Sequence, residues 1–425
     1  MSALNRGEQH PTAQATRLSR PVAALVGVLA VWAAVGVGHL AAGLISAASS
    51  PLLAVGDAVV RLSPEPLTEF AKNTFGTNDK LVLLIAMFVV ITLVGAVAGL
   101  LSRERPNPGS WVVAVLGVLG TAAVYFAPVY AELDLVAPVA ATLAGIGAFR
   151  WLHHLGLRAR EPASAAEDGV SRRAVLTGGS AAVGLGALAS TGLGALVARD
   201  VQGSRAEVTA QLARATFAER ATPVPAAAAF PQLGTPTFLT ANRDFYRIDA
   251  ALRIPTLAAA DWRLRVHGMV ARELTMSFAD LISRPLVERP ITMTCVSNPV
   301  GGNLVSTADF IGVPLRDILV EAGIDPAADQ LFSRSTEGWY TGTPTSVVME
   351  PGRGALLAVG MNGEALPPEH GFPVRMVVPG LYGYVSGTKW VVDLEATTFR
   401  NPFRQGFWLE RGWSQFGPIK TMSRI

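Results

Sequence analysis

Cysteine is nearly missing from this chain. Cys295 is the only one among 425 residues, which excludes an intrachain disulfide and leaves cysteine usage silent on the redox compartment. Charge is also scarce, at 16% Asp, Glu, Lys and Arg with a formal net charge of +3. That excess is too small to argue for nucleic acid, and there is no basic stripe with interleaved aromatics to hold one. Long apolar runs are almost absent after Ala198 but crowd the residues before it. The mean hydropathy of +0.37 excludes an ordinary soluble domain.

Five stretches are long and apolar enough to cross a bilayer: 21–47, 81–101, 111–130, 134–152 and 174–198. Each holds about 20 residues or slightly more, which at about 1.5 Å of rise per residue covers a ~30 Å hydrocarbon core. The basic residues sort to one side. Arg6, Arg17 and Arg20 precede the first stretch, Arg103 and Arg105 follow the second, and Arg150, Arg158, Arg160, Arg172 and Arg173 separate the fourth from the fifth. The alternate loops, 48–80 and 131–134, are mixed or acidic (Asp57, Glu65, Glu69, Lys72, Asp79, Lys80; Glu132, Asp134). The positive-inside rule therefore expects the N-terminus in the cytoplasm and everything after Ala198 outside. Gly36, Gly38 and Gly43, Gly95 and Gly99, and Gly117 and Gly120 suit close packing of the spans. His39 falls in the outer half of the first stretch and His153 and His154 at the cytoplasmic end of the fourth. They cannot share a haem iron and are expected as packed or interfacial side chains.

The fifth stretch opens with Ser171-Arg172-Arg173-Ala174-Val175-Leu176 and continues Gly- and Ala-rich, only weakly apolar. That resembles a twin-arginine export signal, the address of proteins that cross a membrane already folded. Residues 199–240, Ala- and Pro-rich with little periodicity, read as a linker after a membrane domain of residues 1–198. From there residues 241–425 change texture to short strands with Gly and Pro punctuation, an α+β domain large enough for its own core.

Chemistry in that domain centres on Cys295. Ile291-Thr292-Met293-Thr294-Cys295 alternates as a strand, and Val296 to Asn303 turns polar and Gly-rich, so the thiol is expected where strand gives way to loop. A thiolate there is a soft metal ligand or a nucleophile; a buried, inert cysteine is the plain alternative. Three polar clusters can meet it: Phe245-Tyr246-Arg247, the run Ser335 to Tyr340, and the two linked runs His370 to Arg375 and Ser386 to Trp390. The last has the features of an anion site. Arg375 offers a bidentate fork, Lys389 a point charge, and the glycines a close backbone approach.

In their order and spacing over 242–415, Thr294–Asn298, Gly301-Gly302 with Ser306–Leu319, Asn362–Gly380 and Gly387–Trp390 resemble the molybdopterin-binding domain of the sulfite oxidase family. The resemblance implies a molybdenum–molybdopterin cofactor with Cys295 as the metal ligand. It implies Tyr246, Asn298, Thr336, His370, Arg375, Gly387, Thr388 and Lys389 as contacts of the cofactor, with Arg247 placed both there and toward an oxyanion substrate. Tyr340 is expected to donate a hydrogen bond to the transferred oxygen. Two departures accompany the match. Sulfite oxidases place an arginine pair shortly after Cys-x-x-Asn, whereas Pro299-Val300-Gly301-Gly302 follows here; and the family tyrosine's spacing fits Trp339 without a gap, Tyr340 only with one. Sulfite is therefore not assumed as the substrate. The family's immunoglobulin-like dimerisation domain usually follows, whereas this sequence stops at Ile425, so either the protein lacks that domain or the sequence is a fragment. No haem-binding cytochrome segment is recognisable, so electrons are expected to pass to a separate quinone or cytochrome or to the membrane.

The expected whole is an N-terminal transmembrane α-helical bundle of five spans followed by a C-terminal α+β sulfite-oxidase-like molybdopterin-binding domain. Its expected work is two-electron oxygen-atom transfer on a small anionic or polar sulfur or nitrogen compound, outside the cytoplasm, beside membrane lipid. The cofactor would carry the electron step while the protein supplies orientation and positive potential. Two rivals remain. One is a cell-surface Cys–His hydrolase or transpeptidase with Cys295 as nucleophile and His370 or His267 as base. The other is a non-catalytic membrane assembly module, against which the presence of Arg375 and Lys389 argues.

Overall fold

The computed structural model describes residues 17–45, 49–75, 79–127, 132–158, 201–225, 236–248 and 254–421, with 178, 232 and 234. The chain divides into two compact units, one of Met1–Phe126 with Ala131–Leu193 and one containing Gly194–Ile425.

The first unit is helical: α1 (Arg20–Ile45), α2 (Pro51–Leu62), α3 (Glu65–Phe75), α4 (Asp79–Leu101), α5 (Asn107–Tyr125) and α6 (Val136–Arg158). Four stretches have the length and apolarity to cross a membrane, Arg20–Ile45, Asp79–Leu101, Asn107–Tyr125 and Glu132–Leu157. They match the first four expected, with moved ends. The third begins before 111 because Pro108 falls in the first turn of α5, where its missing N–H costs nothing. It stops at Tyr125 rather than 130, since Pro128 disfavours helix in the residue before it. The fifth expected stretch, 174–198, and the Ser171–Leu176 signal lie outside the described residues, Gly178 aside. The loop expected at 48–80 instead holds the short helices α2 and α3, divided at Ser63-Pro64, where proline cannot continue the helix. α1 meets α4 backbone to backbone: a Cβ on Gly27 would run into the Gly95 carbonyl, and one on Gly99 into that of Ala23. His39 Nδ1 sits 3.2 Å from Ser50 Oγ, whereas His153 Nε2 sits 2.7 Å from the Ser102 carbonyl at the other end of the helices.

The second unit holds β1 (Phe217–Glu219), β2 (Arg263–Gly268), β3 (Leu274–Ser277), β4 (Leu286–Thr294), β5 (Val305–Pro314), β6 (Gln330–Ser335), β7 (Tyr340–Pro344), β8 (Leu356–Met361), β9 (Glu364–Ala365), β10 (Arg375–Val377) and β11 (Val391–Thr397). Among the described residues these form two sheets. One runs β1-β4-β5-β8-β10, with β9 on β8; the other runs β3-β2-β11-β6-β7. Helices are short beside them: α7 (201–214), α8 (Phe278–Ile282), α9 (Leu315–Ala322), α10 (Thr345–Val348) and α11 (Gly383–Ser386). One core joins both sheets, drawing Phe310, Leu356 and Met376 from the first and Leu264, Leu331 and Leu394 from the second. Burying each such side chain is worth about 1.5–3 kcal/mol.

The expected linker at 199–240 is corrected here. Its first half belongs to the domain. Val201, Val208 and Leu212 recur on one face of α7 and are buried in the core. Arg205 donates to the carbonyls of Ala365 and Leu366 at 3.3 and 3.1 Å and pairs with Glu364 at 2.8 Å, and Thr209 Oγ1 accepts from the Ala365 N–H at 3.1 Å. β1 then pairs in parallel with β4, covering what would otherwise be a bare sheet edge. The alanines and arginines between the three apolar positions hid this face from the sequence reading. Leu212→Ala should therefore lower the stability of this unit by about 2–5 kcal/mol in chemical denaturation. A cost under about 0.5 kcal/mol, the size of an ordinary surface substitution, would show α7 to be a detachable tether.

Candidate functional site

Cys295 follows directly on β4. The register pairs Met293 with Ser306 and Ile291 with Ala308, and side chains alternate across a strand, so the thiol continues the face of Ile291 and Met293. Thr292 and Thr307, on the other face, hydrogen-bond to each other at 2.8 Å. Cys295 is half-buried, neither sealed in the core nor free in solvent.

A second wall comes from residues 384–390, which run along the seam between the sheets. The Met376 N–H donates to the Thr388 carbonyl at 2.8 Å on the first sheet's side. On the second sheet's side, Ser333 Oγ and Thr388 Oγ1 are 2.7 Å apart, the Thr336 N–H donates to the Trp390 carbonyl at 3.0 Å, and Thr341 and Thr343 donate to the carbonyls of Tyr384 and Val385. A Cβ on Gly387 would lie 3.2 Å from Met293 Cε, so this wall and the Cys295 face meet. Gly371 has φ +110° and no room for a side chain: its Cβ would fall 3.0 Å from Arg375 Cβ and 3.1 Å from Lys389 Cβ. Only glycine lets both cationic stems flank that turn. A third wall is Tyr246, whose N–H donates to Ser306 Oγ at 3.1 Å. Phe245 beside it packs edge-on against His370, with ring centroids 5.3 Å apart.

The electrostatics are one-sided. Arg375 is 4% exposed; it donates to the His370 carbonyl at 3.1 Å, yet its Nε has no partner and no carboxylate pairs with it among the described residues. Burial brings its pKa down to about 10. Lys389, also buried, donates to the Glu369 carbonyl at 2.9 Å. His370 is held down at about 3, first by burial and then by the charges of Arg375, Lys389 and Arg247. It is thus neutral near pH 7. Its Nε2 lies 3.2 Å from the Asn242 carbonyl, which can only accept, so Nε2 carries the proton and Nδ1 remains an acceptor. The Tyr246 hydroxyl is pushed up, chiefly by burial, with Arg375 opposing and Cys295 adding.

A buried guanidinium without a counter-charge is costly unless a ligand brings the anion. Thr336 Oγ1, buried without a partner, is a second group with nothing to satisfy it. A phosphate-bearing ligand that also offers N–H groups to His370 Nδ1 and a metal to a thiolate fits this donor set. The structure gathers Tyr246, Cys295, Thr336, His370, Arg375, Gly387, Thr388 and Lys389 around it, and Arg247 reaches it through its charge on His370. Two expected members stand apart. Asn298 Oδ1 turns back into its own loop and accepts from the Leu304 N–H at 2.8 Å. Tyr340 pairs with Arg334, on the opposite face of β6 and β7 from Ser333 and Thr341, and its hydroxyl donates to Glu410 at 3.1 Å. His267 shares that far face, with Nε2 3.0 Å from Asp393. His267, Asp393 and Glu395 gather their ligand atoms within 4.8 Å of one another, but Arg334 and Arg404 pair with Glu395 there and neutralise it. Gly371 falls within the run His370 to Arg375 already expected to allow close backbone approach, whereas Ser333 and the Asn242 carbonyl left no signal in the sequence.

The family description "Oxidoreductase molybdopterin binding domain" matches residues 251–408. The chain is 34% identical over 156 residues to the uncharacterized oxidoreductase YuiH of Bacillus subtilis, covering 37% of this chain and 74% of that one. It is 33% identical over 205 residues to the sulfite oxidase of Gallus gallus, covering 43% and 44%. With the NADH nitrate reductase of Solanum lycopersicum the identity is 30% over 171 residues, 34% of this chain and 19% of that one. The chain thus spans less than half the length of the sulfite oxidase and about a fifth of the nitrate reductase.

His370 makes the ligand-free protein acid-sensitive. Unfolded, it takes a proton near its ordinary 6.5; folded, only near 3. Between those values the unfolded state binds the extra proton, so stability is lost as pH falls from 6.5 toward 3. Denaturation midpoints of the cofactor-free chain should drop over this range, and His370→Gln should flatten the drop; an unchanged slope in that variant would assign it to other groups.

Proposed function

The chain belongs to the sulfite oxidase family of molybdopterin-binding oxidoreductases, and from that membership we propose a membrane-tethered enzyme whose catalytic domain works outside the cytoplasm. When bound, the cofactor supplies two-electron oxygen-atom transfer at molybdenum. The residues of this chain hold and orient it. Cys295 would provide the thiolate ligand, Arg375 and Lys389 would neutralise the phosphate, Thr336 and Thr388 would line it, and Gly387, lacking a side chain, would let it approach. Neutral His370 accepts a pterin N–H through Nδ1, and Tyr246, kept protonated, remains a donor. Arg247 draws a small anionic or polar sulfur or nitrogen oxide, or the compound that becomes one, toward the thiolate end. Tyr340, turned to Glu410, takes no part in oxygen transfer in this reading.

The observation that carries the proposal is that Arg375 is buried with no carboxylate partner among the described residues, in a cradle that also holds the chain's only thiol. Membrane attachment rests on four long apolar stretches, and its sidedness on the arginines beside them. Relatives named for sulfite and nitrate support a small oxyanion or oxide as the substrate class, with a separate quinone or cytochrome for the electrons. The hydrolase reading finds no support, since His370 is too weak a base at about 3 and His267 lies on the far face of the other sheet.

The full chain purified from a host that makes the cofactor should hold about one molybdenum and one pterin phosphate. Cys295→Ser should abolish turnover with the fold intact, and Arg375→Gln should cut cofactor content at least about tenfold. A folded, active preparation free of molybdenum would refute the assignment. Protease added to intact cells should cut within the domain that begins near 201; protection there with cutting at the N-terminus would reverse the proposed orientation.

A further inference from the structure

The last rung between β4 and β5 is split. Cys295 and Leu304 face each other one step beyond the Thr294–Val305 pair, where an antiparallel ladder would have them exchange two hydrogen bonds. Only one forms, from the Cys295 N–H to the Leu304 carbonyl at 2.9 Å. The other two groups of the rung go to Asn298: its N–H donates to the Cys295 carbonyl at 3.0 Å, and its Oδ1 accepts from the Leu304 N–H at 2.8 Å. Asn298 thus wedges itself between the two strands just where the thiol must leave one of them. The space for this is made by Gly302, whose Cβ would come 2.5 Å from Asn298 Oδ1 and 2.7 Å from Pro299 Cδ, and by Gly301, at φ +74°. Residues 296–304 carry no charge of their own, and the turn beside Asn298 is closed by the Gly302 N–H donating to the Pro299 carbonyl at 2.8 Å.

We propose that Asn298 is a positioning residue: by splitting the terminal rung it turns Cys295 out of the ladder and aims the thiol into the cradle, acting through the loop and not by touching the cofactor. The role of the thiolate as a metal ligand rests on the function proposed above; the aiming of the thiol does not. An aspartate keeps the acceptor that Leu304 needs, an alanine removes it, and a side chain at 302 pushes it aside. Because Cys295 is the only cysteine, alkylation of the full chain reads this thiol alone.

In cofactor-free protein, Asn298→Ala and Gly302→Ala should each change the Cys295 alkylation rate roughly three- to tenfold, the weight of one lost hydrogen bond, while Asn298→Asp stays within about twofold of the parent. In cofactor-loaded protein the thiolate-to-molybdenum charge-transfer absorption should weaken in the same two variants, with pterin phosphate content unchanged and aspartate restoring the signal. Parental alkylation in Asn298→Ala overturns the inference. So does an aspartate variant as defective as alanine, which would make the amide NH2 a direct cofactor donor. If Asn298→Ala does not fold, Gly302→Ala decides, and a parental rate there sinks the idea. A chain that never contains molybdenum would overturn the functional reading while leaving the alkylation comparison to judge this one.

Discussion

A guanidinium enclosed in a protein with no carboxylate beside it sets the terms for everything around it. Among the described residues Arg375 is such a group, and desolvation of an unpaired charge costs several kcal/mol. Its neighbours are arranged so as not to relieve that cost internally. His370 is kept neutral and so adds no charge, Tyr246 is kept protonated and so offers no phenolate, and the peptide carbonyls of His370 and Glu369 solvate the cations without neutralising them. The field of the cradle is therefore positive and unspent. Among the described residues no carboxylate compensates it.

Holding a peptide segment in that field calls for an unusual surface beneath it. β6 and β7 present Ser333, Ser335, Thr341 and Thr343 inward, all of them fully or nearly fully buried. Buried hydroxyls are costly unless bonded, and here three of the four bond to residues 384–388, Ser335 closing instead on the Trp339 carbonyl. The segment is thereby fixed by side chains where a strand would be fixed by backbone. Within it the Gly387 N–H closes the turn on the Gly383 carbonyl at 2.9 Å. The seam between the sheets thus becomes a binding surface because the second sheet gives up apolar packing at this edge alone, keeping Leu264, Leu331 and Leu394 in the core elsewhere.

The sequence displayed the chemistry of the site more openly than its geometry. The thiol at a strand end, the cations after His370 and the glycines between them were legible from residue type and spacing. Their assembly was not, since it depends on which strands pair. Tyr340 shows the limit. The family resemblance placed it at the transferred oxygen, but strand parity decides, and pairing with Arg334 sends it to the other face. Asn298 fails differently: an amide beside a ligating cysteine reads as a cofactor contact until the Leu304 N–H is seen to need its oxygen. In the helical unit the apolar runs were long enough to be seen directly, whereas the amphipathic α2 and α3 were too short, and their charges read as loop. α7 was missed because a face of three apolar residues is thin evidence against a background of alanine.

The same unspent charge links binding to folding. A ligand that meets Arg375 only in the native state stabilises that state by mass action, and the gain includes the desolvation cost that burial of the guanidinium has already incurred. The ligand-free domain is correspondingly handicapped, and more so in acid, where His370 favours the unfolded chain. Such a domain does best to take its cofactor before it is exposed to conditions it cannot control. Export in the folded state, the route that the Ser171–Leu176 segment resembles, permits that order of events; threading an unfolded chain across a membrane does not.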